Sequence, residues 1–506
     1  MSRLPAITER SGRFVIALLL CIKLMLLVWN AIVYDGVTYQ PERQSDRAWF
    51  GGLKIGKLSY DPPLYYLPAR LLRRPADVPF VERSSDEPTE RPSIGKRKKK
   101  PSTEEQAFRG ELLDVLRYTN VLWVGFFYVA WIYYAFPRLL RDRRAWFLAS
   151  LVLLAIPGYQ KLAAMSHPDN LFAAASALSV CVWLGLRERW QKTSLSSDAN
   201  MPLATGHATR NLTFFALVLG LVGLTRPLAL AYVAPLTLVA LVYAARFSTT
   251  RWQQRLGRAM LVVTLVGVMS GSWYVLRWRQ TGAVLASVPT DVSASFEPLR
   301  RGFPYAHYFL SFYPAQLWDN PNLGFGEAPT GTDARSAPVN SFLTLLHSEV
   351  WGDHWLSFSG PKHKEGKAWA KRISVSTALL TPFITLLLLL AWLWSFGKRS
   401  TKIWQTGGSS SVVERLRRLG TTLETELVLG AISVLGAALF VWWQTGPALL
   451  PGDHSSLKFV HVAAFFPPAI ALLLSRTLEK RPALLLNGYV FVLFVAAFPV
   501  AMYYPR

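Results

Sequence analysis

The 506-residue chain has only two cysteines, and it is short of acids: 31 Asp and Glu stand against 55 Lys and Arg, a formal net charge of +24. Cys21 and Cys181 both fall inside apolar stretches, which argues against a disulfide framework and against a thiolate metal site. An Asp-x-Asp motif and a glycine-rich phosphate loop are both missing, so the sequence offers no recognisable cradle for a soluble nucleotide sugar. No separate soluble domain with alternating strands stands out, and neither does an internal repeat. A cleavable signal is lacking too. The first apolar run, 13–34, is too long for a signal core and has no small-residue cleavage site, so it is expected to stay as a helix.

What the chain has in quantity is apolar sequence, 51% of its residues, set between basic loops. A nucleic-acid binder would be basic without the apolar runs; the combination suits lipid-facing helices whose loops lie against anionic headgroups. A bilayer span needs roughly 20 apolar residues, because the hydrocarbon core leaves backbone groups no water to bond. Reading on that basis predicts an all-α integral membrane protein with about eleven spans, at 13–34, 118–137, 145–160, 170–187, 211–225, 228–245, 259–277, 374–396, 426–444, 458–475 and 483–503. The stretch 211–245 is too long for one ordinary span and has Thr225-Arg226-Pro227 at its middle, where an arginine and a proline end one helix and start the next.

Charge placement supports this count. With the N-terminus inside, Arg138, Arg141, Arg143 and Arg144, then Arg187, Arg189 and Lys192, then Arg246, Arg251, Arg255 and Arg258 all fall in short cytoplasmic loops. Joining 211–245 into one span would invert everything after it. Lys96-Arg97-Lys98-Lys99-Lys100 falls on the outer side, within a Pro/Ser/Lys/Glu-rich insertion at about 73–106; the positive-inside rule is weak for loops of such length. Lys23 lies near the centre of the first span, where a charge costs about 2.5–3.5 kcal/mol, so it is expected to face protein rather than lipid. Asn211-Leu212-Thr213 matches a glycosylation acceptor but falls at a cytoplasmic helix end, so it is read as unused.

The organisation that follows is a transmembrane catalytic module over 1–277 including an outer loop at 35–117, a second outer loop at 278–372, and C-terminal helices over 373–506. The two long outer loops are rich in Pro, Gly and aromatics and are expected to form interfacial helices. Short outer turns add Ser166-His167-Pro168-Asp169-Asn170, Arg226 and Asp453-His454.

Four motifs give the chain a resemblance to a known family. An acid follows the first helix in Tyr34-Asp35-Gly36, and Asp61-Pro62-Pro63-Leu64-Tyr65-Tyr66 comes next. Ser166-His167-Pro168-Asp169-Asn170 opens the fourth helix, and Gly271-Ser272-Trp273-Tyr274 with Arg277 and Gly282 closes the seventh. In this order and on one side, they resemble the GT-C superfamily of polyprenyl-phosphate-sugar-dependent glycosyltransferases, in particular its protein mannosyltransferase and lipid A aminoarabinose transferase branch. The motifs cover roughly the first 280 residues; beyond them only the helix layout is similar. Two departures stand out. Gly36 follows Asp35 where the branch often has an Asp-Glu pair, leaving Glu42 and Asp46 as substitutes, and Asp61 stands where the branch's Pro-Pro-Leu motif has His.

The resemblance implies sugar transfer from a polyprenyl-phosphate carrier to a glycan, lipid or protein acceptor at a periplasmic or lumenal face, with no nucleic acid involved. An acceptor hydroxyl or amine must lose a proton as it attacks the anomeric carbon, and Asp35, at an outward helix end, is the expected base. Asp169 is the second catalytic candidate, as acceptor-orienting or metal-binding group, although N-capping accounts for it equally. His167 is placed to support it. Arg226 and Arg277 or Arg279 are candidates for the leaving phosphate, since a guanidinium fork holds two oxygens and stays charged; interfacial snorkelling is the competing explanation. Glu42, Asp61, Lys458 and His461 complete the polar set. Trp351, Asp353 and His354 have the composition of a sugar platform, against simple interfacial anchoring by Trp. A divalent cation is compatible with the family, but no ligand spacing here assigns one. A polymerase or ligase acting on lipid diphosphates and a multi-helix transporter stay open as alternatives.

Overall fold

The computed structural model describes residues 9–33, 118–140, 142–156, 158–159, 169–195, 205–246, 252–281, 412–445 and 462–477, with isolated positions at 64, 312, 347, 350 and within 390–405. Every element among them is helical. Six helices are long and apolar enough to cross a membrane, and two shorter apolar helices accompany them. The protein is an all-α membrane protein.

The elements are α1 (Glu9–Val33), α2 (Tyr118–Leu139), α3 (Arg143–Ala155), α4 (Asp169–Leu195), α5 (Thr205–Gly223), α6 (Leu230–Arg246), α7 (Trp252–Thr281), α8 (Val412–Thr445) and α9 (Phe466–Thr477). Each overlaps an expected span, although several boundaries differ. The predicted span 374–396 is described only at scattered positions, and 483–503 lies outside the described residues.

Local sequence explains where these helices bend and stop. In α2 the segment Ala130–Ala135 is a π-helix, ending two residues before Pro137. Proline has no N–H to return to the preceding turn and its ring crowds the carbonyl there, so the ladder shifts register. The altered turn bonds its neighbours: the Trp146 indole donates to the Ile132 carbonyl at 2.7 Å. Helix α3 starts at an Asp142 cap, whose carboxylate accepts from the Arg144 N–H at 3.0 Å. It ends at Ala155, short of the expected 160, because Ile156 precedes Pro157 and turns extended, with ψ 113°. The expected break inside 211–245 is present. Helix α5 ends at Gly223, and a 3-10 turn, Pro227–Ala229, leads into α6.

Packing follows small residues, as it must where lipid tails are as apolar as leucine and burial alone does not drive helices together. Helices α5 and α7 run parallel and close: a Cβ on Gly220 would lie 2.7 Å from the Met269 Cβ. Ser270 and Tyr274 on α7 donate to the carbonyls of Gly220 and Gly223, each at 3.3 Å. Gly436 on α8 brings that helix against Phe465, and Gly185 on α4 admits the Tyr134 hydroxyl. Helix α4 is central, with 72% of its apolar window buried, whereas α7 and α1 are peripheral at 22% and 28%. Their outer faces expose Phe14, Met25, Trp252, Met260 and Val268, side chains suited to lipid and ill suited to water. Lys23, by contrast, is fully buried, as expected of a charge at mid-span. Cys21 and Cys181 are both free.

Alternating helix directions sort the polar residues to two ends. One end holds Asp169, Thr225 and Arg226. The other gathers Arg138, Arg187, Arg189, Arg210 and Arg258, tied by pairs such as Arg138 with Glu188 at 2.9 Å.

Candidate functional site

Asp169 and Arg226, 57 residues apart, meet as a buried ion pair. The helix break places Arg226 in extended backbone just before the 3-10 turn, while Asp169 is the first residue of α4. The guanidinium approaches side-on: Nη2 donates to Oδ2 at 3.0 Å, and Nε lies 2.8 Å from Oδ1. Side-chain exposure is 6% for Arg226 and nil for Asp169. Two charges so deep are tolerated because they are opposite and in contact, with one hydrogen bond between them; removing one partner would leave the other charge uncompensated by it. The adjoining Asn170 and Thr225 are buried too, and Thr225 donates from Oγ1 to the Val222 carbonyl at 2.6 Å.

An aromatic layer adjoins the pair. Phe172, one turn into α4, packs edge-on against Tyr232 of α6 and Phe465 before α9, and Tyr232 stacks with Phe465 at 5.7 Å between centroids. Hydroxyls pin this layer to the 3-10 turn Ala463–Phe465: Tyr159 donates to the Ala463 carbonyl at 2.6 Å, and Tyr232 to that of Ala464. Tyr159 also contacts Phe127 and Tyr128 of α2. Segments distant in sequence, 127–128, 159, 169–172, 225–232 and 462–466, therefore converge on one end of the bundle.

Of the expected site residues, Asp169 and Arg226 are brought together. The partnership adds something the sequence did not suggest, because each had been read singly, one toward acceptor and one toward phosphate. Arg277 lies within α7, and its side chain is outside the described residues. Asp35, Glu42, Asp61, His167, Trp351, Asp353, His354, Lys458 and His461 all lie outside the described residues. In sequence, Asp35 follows the end of α1, His167 precedes Asp169 by two positions, and His461 precedes Val462. From the closing motif of α7, Trp273 is buried and Tyr274 bonds the end of α5, three residues before Arg226.

Tyr159, Tyr232 and Phe465 were not anticipated. A tyrosine within an apolar span, needing a partner for its hydroxyl, is the signal that marks such positions. Among the described residues no group of three or more His, Cys, Asp or Glu is placed to hold a metal ion.

The opposite end carries a second polar cluster. Glu424 of α8 accepts from the Tyr243 hydroxyl and from the Trp183 indole at 3.4 Å, with Arg187 Nε 4.0 Å away. Glu426 pairs with Arg399 at 2.7 Å. The Glu424 contacts join α4, α6 and α8.

No protein-family model, curated protein or solved structure matches the chain.

Proposed function

We propose that the chain is an integral membrane glycosyltransferase of the GT-C type, with about eleven spans, that moves a sugar from a polyprenyl-phosphate carrier to a glycan, lipid or protein acceptor at the outer face of its membrane. The membrane is assigned as a bacterial inner membrane with the site facing the periplasm, the endoplasmic reticulum lumen being the alternative. The observation that carries this reading is the Asp169–Arg226 pair, buried where α4 begins and the α5–α6 break lies. Charges in a membrane bundle are costly and mark function more often than fold, and the motif residues preceding α4 and closing α7 border the same end in sequence.

In the proposed reaction the acceptor O–H or N–H attacks the anomeric carbon from the side opposite the carrier. The bond from that carbon to the phosphate oxygen breaks, its electron pair stays on the phosphate, and the acceptor proton passes to Asp35. The sugar's anomeric configuration inverts. Arg226, together with Arg277, meets the phosphate as its charge grows; Asp169 holds the Arg226 fork in one orientation until then.

Reconstituted full-length protein supplied with a panel of polyprenyl-phosphate sugars and membrane-extract acceptors tests this. Wild type transfers one of them, and Asp35→Asn, folded and expressed normally, loses at least about 10²-fold of the rate. Unchanged transfer by that variant would remove Asp35 as base. Transfer only from diphosphate carriers would instead favour a polymerase or ligase, and uptake of an unmodified solute into vesicles would favour a transporter, a reading to which the broken α5–α6 stretch also lends itself.

A further inference from the structure

At the basic end, a shallow open groove runs between α5 and α7. Thr209, Arg210 and Thr213 line it from α5; Gln254, Gly257 and Arg258 line it from α7, with Leu261 deeper along the helix. The spacing places 254, 257, 258 and 261 on one stripe of α7, and 209 and 213 on the facing stripe of α5. Arg258 is largely buried and donates from Nε to the Thr209 hydroxyl at 3.1 Å, so one guanidinium is fixed in the groove wall, while Arg210 is exposed at its rim. Over Gly257 there is open space: a Cβ added there would meet nothing within 4 Å. Farther along the same two helices the surface turns apolar, with Leu217 and Val268 exposed.

We propose that this groove binds the headgroup phosphate of an anionic phospholipid from the leaflet at the basic end of the bundle. Two guanidiniums, the Thr209 hydroxyl and the Gln254 amide meet a phosphodiester and its polar substituent, the Thr213 hydroxyl being already donated to the Thr209 carbonyl at 2.9 Å, and the acyl chains continue along the exposed apolar faces of α5 and α7. Basic pockets between membrane helices on the positive-inside face select anionic headgroups on this physical basis. The site is separate from the Asp169–Arg226 pair: Thr209 and Gly223, at opposite ends of α5, are about 21 Å apart at 1.5 Å per residue. It holds whether or not the protein transfers sugars.

Native mass spectrometry of the full chain, released from nanodiscs of equal phosphatidylglycerol and phosphatidylcholine, tests the proposal. The expected result is phosphatidylglycerol retained in preference, falling about fivefold in Arg210→Gln and in Gly257→Trp. The tryptophan fills the groove from an open position, and Arg210 is exposed, so the two variants disturb packing least. Equal retention of both lipids, or undiminished phosphatidylglycerol on both variants, overturns the site. Displacement of the lipid by millimolar inorganic phosphate or glycerol phosphate also overturns it, since the groove would then belong to a soluble phosphate.

Discussion

Arg226 reaches across from the α5–α6 break to Asp169, bonding Oδ2 through Nη2 with Nε 2.8 Å from Oδ1, so the first turn of α4 and the start of the α6 segment are tied to each other by one buried ion pair. Both side chains are buried, so the pair bears on stability, and in the proposed reaction it bears on chemistry as well; the two effects separate by design of the variants.

Replacing Arg226 with Ala takes the guanidinium away from the buried Asp169 carboxylate and is expected to destabilise the protein by roughly 3–5 kcal/mol. The double substitution Asp169→Leu with Arg226→Met, which removes both charges, recovers most of that loss in thermal unfolding followed by size-exclusion. Sugar transfer stays lost in the double variant. Recovery of transfer along with stability would reduce the pair to a structural strut.

At the opposite end, Tyr243→Phe removes the hydroxyl that bonds Glu424, while Trp183 and Arg187 stay beside that carboxylate. The expected cost is about 1–3 kcal/mol of stability, with transfer unaffected in the surviving folded fraction. A selective loss of transfer there would move chemistry toward the basic end.

Gly436 and Gly267 make a paired test of packing. A side chain at Gly436 meets the Phe465 ring, with a Cβ 2.5 Å from its Cδ1, whereas one at Gly267 meets nothing within 4 Å. Gly436→Leu is expected to cost about 1–3 kcal/mol and, by displacing the turn that Tyr159 and Tyr232 hold, to slow transfer; Gly267→Ala leaves both unchanged. Equal behaviour of the two would contradict the close α8 approach.

Sidedness is checked with single cysteines in a background where Cys21 and Cys181 are replaced. A membrane-impermeant maleimide added outside intact cells is expected to label position 35 and to spare position 210, which reacts only after the membrane is opened. Labelling of position 35 from the cytosol alone would collapse the orientation, and with it the proposed reaction.

Much of the helix layout was legible in the sequence because each span obeys a local rule. Length and apolarity gave α1, α2, α4, α6 and α7, and Thr225-Arg226-Pro227 announced the break that the structure has at 224–229. Where local chemistry was overlooked, the boundaries moved: Pro157 shortens α3, and α8 begins at Val412, well before the apolar run at 426, since amphipathic sequence such as Glu414-Arg415 can continue a helix beyond a bilayer. Contacts were less legible. Asp169 and Arg226 were each singled out, but nothing in a lone chain says that residues 57 apart in sequence pair. Their opposite charges in adjacent outer turns were the available hint. Tyr159 and Tyr232 were marked as residues in need of a partner by their apolar surroundings, but their acceptors were not legible, because these are the backbone carbonyls of Ala463 and Ala464, which any sequence supplies.

The most direct measurement is the position of a bound polyprenyl phosphate on the full chain in a lipid nanodisc, determined by electron cryo-microscopy. The account predicts phosphate density at the Arg226 end of the bundle, facing the same space as the Asp35 carboxyl. Phosphate density confined to the opposite end, beside Thr209 and Arg258, would contradict it.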